Sequence, residues 1–348
     1  MRNFELAVPI PGRSLVIEAD DGAYVPKVLQ REGLAGYEAS TLACFLASIE
    51  QHPGPVLDVG ANVGVFALVA EAVLGADVRA FEPVPELAAL ARELAERNGL
   101  SFTVEELALG AEDTEATFYL SDVTDSSNSL LEGFRPSTRS LTVPVRRLDG
   151  YCDREGVVPK VIKIDTEATE PDVLLGATGV LGRHRPYLIC EALAGRSEAQ
   201  LEAILEPFGY RWYQITEERP LVPRREIFGD RAYRFNNWLF APEEPDAEFW
   251  DRMGHWREAI RACEPPSSPP PARAATSGTP AAATSPSAPA PPRPATAPPP
   301  GTQARPRSVR TRRRGVYGRK KMLAGITAGV VIGVSLGRLS MRRGPGGR

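Results

Sequence analysis

The stretch VLDVGANVGVF, residues 56–66, runs apolar into an acid, Asp58, and bends through Gly60, Asn62 and Gly64. It leaves with helical spacing at Phe66, Val69, Ala70, Val73 and Leu74. A glycine-flanked bend between strand and helix lets backbone approach a ligand while a helix N-terminus faces its anionic part. Two kinds of nucleotide loop are excluded by spacing. GxxxxGK[ST] is absent, and the dinucleotide fingerprint counted from Gly60 meets Asn62 and Val65 where glycines are required. Glu82 closes VRAFEP, 22 residues after Gly60, and an acid there can accept hydrogen bonds from both hydroxyls of a ribose. A second set of acids follows two later strands: Asp165 with Glu167 and Glu170 beyond it, and Glu191. Strand-end acids of this kind act as bases, as ligands of hard cations or merely as helix caps. Of the histidines, His52 and His255 read as surface residues and His184 as a helix-end cation. None has zinc spacing with the acids, so no metal is assigned.

Such residues need a scaffold that brings strand ends together. From 51 to 245 short apolar runs alternate with helical patterns. Strands are predicted at 56–60, 77–82, 102–109, 116–120, 161–165, 187–191, 211–215 and 237–241. Helices are predicted at 63–74, 86–98, 171–181 and 198–208. Residues 1–50 form a lead-in with a helix at 40–49, and 246–263 a closing helix. The alternation predicts an α/β fold with a mainly parallel, Rossmann-like sheet, its ligand beyond the carboxyl ends at the switch point. SDVTDSSNSLLEGF, 121–134, reads as a lid whose Ser, Thr and Asn side chains face acceptor hydroxyls, or equally as an ordinary loop.

The charge of −3 is divided unevenly: from Glu264 onward 15 Lys and Arg face one acid, against 26 basic and 43 acidic residues before it. An acidic body therefore carries a basic arm. Residues 264–304 are rich in Pro, Ala, Ser and Thr, a composition that buries too little to order itself. A basic segment, 305–321, precedes an apolar segment, 322–341, with Gly325, Gly329, Gly333 and Gly337 four residues apart. That spacing suits close helix packing in lipid, self-association included. The four cysteines lack paired or zinc spacing and read as reduced thiols. The first 15 residues lack the apolar core of a signal peptide, so the expected location is the cytoplasm, with a membrane tether at 322–341.

D-x-G-x-N-x-G resembles motif I of class I S-adenosylmethionine-dependent methyltransferases, with Asn62 for the middle glycine, a mild change because asparagine tolerates unusual φ. KIDTEATEPDVLLGATGVLGRHRPYLICE, residues 163–191, follows VPVRRLD and LDVGAN-G, with Tyr37 and Glu38 ahead of the first strand. In the order of these pieces, over 35–241, the chain resembles the FkbM-type methyltransferase family. Ala168 stands where that family has glycine, and Thr166 where it has a small aliphatic residue. The resemblance implies S-adenosylmethionine as cofactor, bound by Asp58, Gly60, Asn62, Gly64 and Glu82. It also implies O-methylation of a sugar, polyketide or other small acceptor, with Asp165 the first candidate base and Glu167 and Glu191 beside it. The alternative is an inactive scaffold assembled or tethered through its tail. No specific nucleic-acid binding is expected.

Overall fold

In the computed structural model residues 2–19, 23–218 and 220–266 are described. The predicted linker beyond residue 266, the basic segment and the glycine-spaced segment lie outside them. The apolar N-terminus is strand: β1 (Arg2–Ala7) pairs antiparallel with β2 (Ser14–Ala19), Leu6 opposite Leu15. Pro9, Pro11 and Gly12 fall in the turn between, where fixed or positive φ is needed. Two helices follow, α1 (Tyr24–Glu32) and α2 (Ala39–Gln51).

The first nucleotide-binding-like half is β3 (Val56–Val59), α3 (Val65–Leu74), β4 (Val78–Phe81), α4 (Pro85–Arg97) and β5 (Thr103–Glu105). A separate three-stranded sheet comes next, from β6 (Ala108–Leu109), β7 (Thr114–Leu120) and β8 (Arg139–Arg146), ordered β6-β8-β7. The second half is α5 (Leu148–Glu155), β9 (Val161–Ile164), α6 (Glu170–Leu175), α7 (Thr178–Arg183), β10 (Tyr187–Glu191) and α8 (Glu198–Leu205). Three strands and a helix close the body: β11 (Arg211–Gln214), β12 (Pro223–Arg224), β13 (Asn237–Ala241) and α9 (Ala247–Arg261). Asp246 caps α9 by accepting the Phe249 N–H at 2.8 Å.

The main sheet is ordered β12-β11-β13-β10-β9-β3-β4-β5. β5, β4, β3, β9 and β10 are parallel, while β13 enters antiparallel to β10. The order reverses between β3 and β9, so their carboxyl ends open the crevice where open α/β sheets bind ligands. α3 is apolar on nearly every face because it is enclosed: Val65 through Ala70 are all buried.

Two sequence expectations fail in instructive places. The strand expected over 102–109 divides, β5 staying in the main sheet and β6 leaving for the small one. The helix expected over 171–181 breaks at Gly176, where a Cβ would lie 2.0 Å from the Gly110 carbonyl oxygen. The segment 121–134, read as a lid or equally as an ordinary loop, brings Asp125, Ser126 and Asn128 to the wall of a cavity. Ser129 pairs with Tyr119, and Asp125–Ser127 form a 3₁₀ turn. Two of its polar side chains bond its own backbone: Asn128 Oδ1 accepts from Ser121 N–H at 2.8 Å, and Ser121 Oγ from Val123 N–H at 3.1 Å.

Candidate active site

At the carboxyl end of β3 the chain turns through Gly60, whose φ is +79°. Its N–H and that of Ala61 both donate to the Phe81 carbonyl at 3.0 Å, tying β3 to β4. A Cβ on Gly60 would stand 1.8 Å from the Asp165 carbonyl oxygen, so glycine is required by the neighbouring strand end. Asn62 takes φ +53°, and its side chain accepts from the Val63 N–H at 2.9 Å. This is the tolerance expected of asparagine. Glu82, buried at the end of β4, grips the bend: Oε2 accepts the Asn62 N–H at 2.8 Å and Oε1 the Val84 N–H at 2.9 Å. Burial nevertheless pushes its carboxyl up to about 7. Each oxygen keeps a second lone pair for a diol.

These residues line one cavity of about 1130 Å³, part of it open solvent. Gly60, Asn62 and Glu82 face it, with Phe81, Leu107 and Leu109 as an apolar wall. Two expected cofactor residues do not. Asp58 is buried within β3, and burial raises its carboxyl to about 6. Gly64 caps α3 at φ +79° with Ala91 and Phe102 3.3 Å from where a Cβ would be. Both position the bend from behind the cavity.

The cavity's other side is acidic. Asp165 and Glu167 follow β9 and Glu191 ends β10; all three line it. One oxygen from each lies within 4.8 Å of the others. Lys163, buried near the carboxyl end of strand β9, donates to Asp165 Oδ2 at 3.0 Å and lies 4.5 Å from the centre of the Phe66 ring. Burial opposes its charge, but Asp165, Asp58 and Glu38 around it more than offset that and raise its pKa. Glu167 is pushed up to about 8, first by burial and then by Asp165 and Glu170. Glu191 is held well above the usual carboxylate range by burial and by Asp165. Its Oε2 is shut off from solvent without a hydrogen-bond partner.

The turn carrying Glu167 is fixed from two sides. Glu170 Oε1 accepts from Thr166 N–H at 3.0 Å, Thr166 Oγ1 at 3.1 Å and Ala168 N–H at 3.1 Å. Ser129 Oγ donates to the Glu167 carbonyl at 2.7 Å. Glu170 is fully buried and faces its own loop, a role beyond helix capping.

Residues 58–218 match the model of the methyltransferase FkbM domain. Over this stretch the chain is similar to an FkbM methyltransferase domain. Among solved structures, an FkbM methyltransferase from Methylobacillus flagellatus is similar over 54% of this chain and 43% of that one, at 18% identity and TM-score 0.37. A SAM-dependent methyltransferase from Agrobacterium tumefaciens matches over 69% and 70%, at 12% identity and TM-score 0.36. Magnesium protoporphyrin IX methyltransferase from Synechocystis, with bound SAM, matches over 64% and 86%, at 13% identity and TM-score 0.33. This chain thus spans less than half of the Methylobacillus protein. No curated protein matches it.

The cavity is also lined by residues that the sequence did not single out as site residues. Glu38, at φ +45° ahead of α2, lines the cavity and accepts from Asn237 Nδ2 at 3.2 Å. Burial and Asp165 raise it to about 7. Its signal was the Tyr37–Glu38 pair, which carries no chemistry by itself. Lys163 had a plainer signal, a charge inside the apolar strand VIKI.

Proposed function

We propose that this domain transfers a methyl group to the oxygen of a hydroxyl on a small acceptor such as a sugar or polyketide. The observation that supports this is the meeting of Asp165, Glu167 and Glu191 on the cavity that Gly60, Asn62 and Glu82 also line. S-adenosylmethionine, when bound, supplies a methyl already activated on a sulfonium. Its adenosine fits the wall of Phe81, Leu107 and Leu109, its ribose diol the free lone pairs of Glu82. What remains for this chain's residues is orientation and one proton. Asp165, kept in place by Lys163, takes the acceptor's proton as the oxygen–methyl bond forms. The carbon–sulfur electron pair stays on sulfur, leaving a thioether and a methyl ether. Glu167 and Glu191 shape the acid side around the acceptor.

The expected outcome is that purified full-length protein binds S-adenosylmethionine by calorimetry and labels a hydroxyl acceptor from its methyl-tritiated form. Asp165→Asn lowers turnover by roughly 10²–10⁴ with cofactor affinity nearly intact. Normal turnover in that variant, with Glu167→Gln or Glu191→Gln inactive, moves the base to the other carboxylate. Binding without turnover on any acceptor favours the scaffold. We further propose that the basic and glycine-spaced tail tethers the domain to a membrane from the cytoplasmic side and packs against copies of itself.

A further inference from the structure

We propose that Asp165, Glu167 and Glu191 bind one hard divalent cation of the Mg²⁺, Mn²⁺ or Ca²⁺ class at the carboxyl ends of β9 and β10. The sequence assigned no metal here, and the geometry leads elsewhere. Three carboxylate oxygens from two adjacent strand ends lie within 4.8 Å of one another. A cation with oxygen ligands at about 2.1–2.6 Å spans oxygens roughly 4.2–5.2 Å apart across its centre, so the three need little movement. The second observation does not depend on clustering. Glu191 Oε2 is cut off from solvent and receives no hydrogen bond. A buried carboxylate oxygen left without a donor is costly.

The ammonium of this site does not relieve it, because Lys163 Nζ donates to Asp165 Oδ2. That pair leaves Asp165 Oδ1 available as a ligand. The Glu167–Ala168 turn, at φ +56° and +82°, keeps a costly backbone shape that presents Glu167 to the cavity. Oxygen-only donors without histidine or thiolate suit a hard cation and disfavour zinc. The cation's role, though not its binding, rests on the methyl-transfer reading: it neutralises the acidic side and holds the acceptor oxygen in line.

The test uses full-length protein stripped with chelator and titrated with Mn²⁺, free ion being followed by electron paramagnetic resonance. One saturable site per chain is expected, with a dissociation constant below about 1 mM and competition by Mg²⁺ or Ca²⁺. Glu191→Gln and, separately, Glu167→Gln weaken it at least about tenfold, while melting temperature and S-adenosylmethionine affinity hold. Glu82→Gln leaves Mn²⁺ binding as it was. No saturable site by about 1 mM, or unchanged affinity in whichever of the two variants folds, overturns the proposal. Cofactor binding without Mn²⁺ binding sinks the cation alone. Mn²⁺ binding without cofactor binding supports the cation and sinks the methyl-transfer reading.

Discussion

Ala168 has φ +82°, a region that an L side chain enters at a cost. The FkbM family's preference for glycine there is explained by that angle, and alanine survives because Glu170 ties the loop down. Thr166 is the companion change: its hydroxyl adds a bond to Glu170 Oε1 at 3.1 Å. Ala168→Gly removes strain of about 1 kcal/mol or more and loses about 0.4–1 kcal/mol to unfolded-chain entropy. A small net stabilisation, about 0.5 kcal/mol by urea unfolding, is expected, with turnover retained. A clear loss of stability would show that the side chain makes up for its own strain. Gly60 teaches the opposite lesson. With a Cβ placed 1.8 Å from the Asp165 carbonyl oxygen, Gly60→Val disturbs both strand ends and cannot report on cofactor contact alone.

At the scale of elements, the sheet buries charge where its strands should be apolar. Asp58 and Lys163 pair across β3 and β9, and Glu82 closes β4. Burial raises Asp58 to about 6 from 3.8 and Glu82 to about 7 from 4.5, and Glu38 and Glu170 shift the same way. A carboxyl with a raised folded pKa binds its proton more tightly folded than unfolded. Its contribution is therefore complete below about pH 4 and is lost as pH rises through the folded values near 6–7. The melting midpoint of the cofactor-free protein should fall by several degrees between pH 5 and pH 8, and Glu82→Gln should flatten that slope. A midpoint that climbs with pH would show these groups to be ionised in the fold. Reading the sequence, β3, β4, β9 and β10 were legible because buried parallel strands are short apolar runs between helical patterns. β8 was not, since Pro144 interrupts a pattern that alternates weakly. The break at Gly176 was invisible because its cause is Gly110, 66 positions earlier. In the site, acids at strand ends could be found by position; their convergence, and the burial of Lys163 among them, depends on strand order.

At the scale of the whole molecule, one prediction rests on the residues beyond 266. Residues 322–336 form 15 positions without charge, about 22 Å as a helix against the roughly 30 Å of a bilayer core. Extending to 341 gives 20 positions with Arg338 near the end, where a long side chain can reach the interface. Gly325, Gly329, Gly333 and Gly337 then share a face that lets helices approach closely. Nine basic residues in 305–321 outnumber the four after Leu336, so the positive-inside rule predicts, for a spanning segment, a body on the cytoplasmic side. Glycine is a poor helix former in water, so a membrane would have to supply the helix. The full chain should pellet with membranes and resist a high-salt wash, while a chain ending at Lys321 should stay soluble and still bind cofactor. Salt alone releasing the full chain would reduce the attachment to the basic segment, since surface charge attraction is screened within about 10 Å at 0.1 M salt. The glycine spacing would then have no part in it.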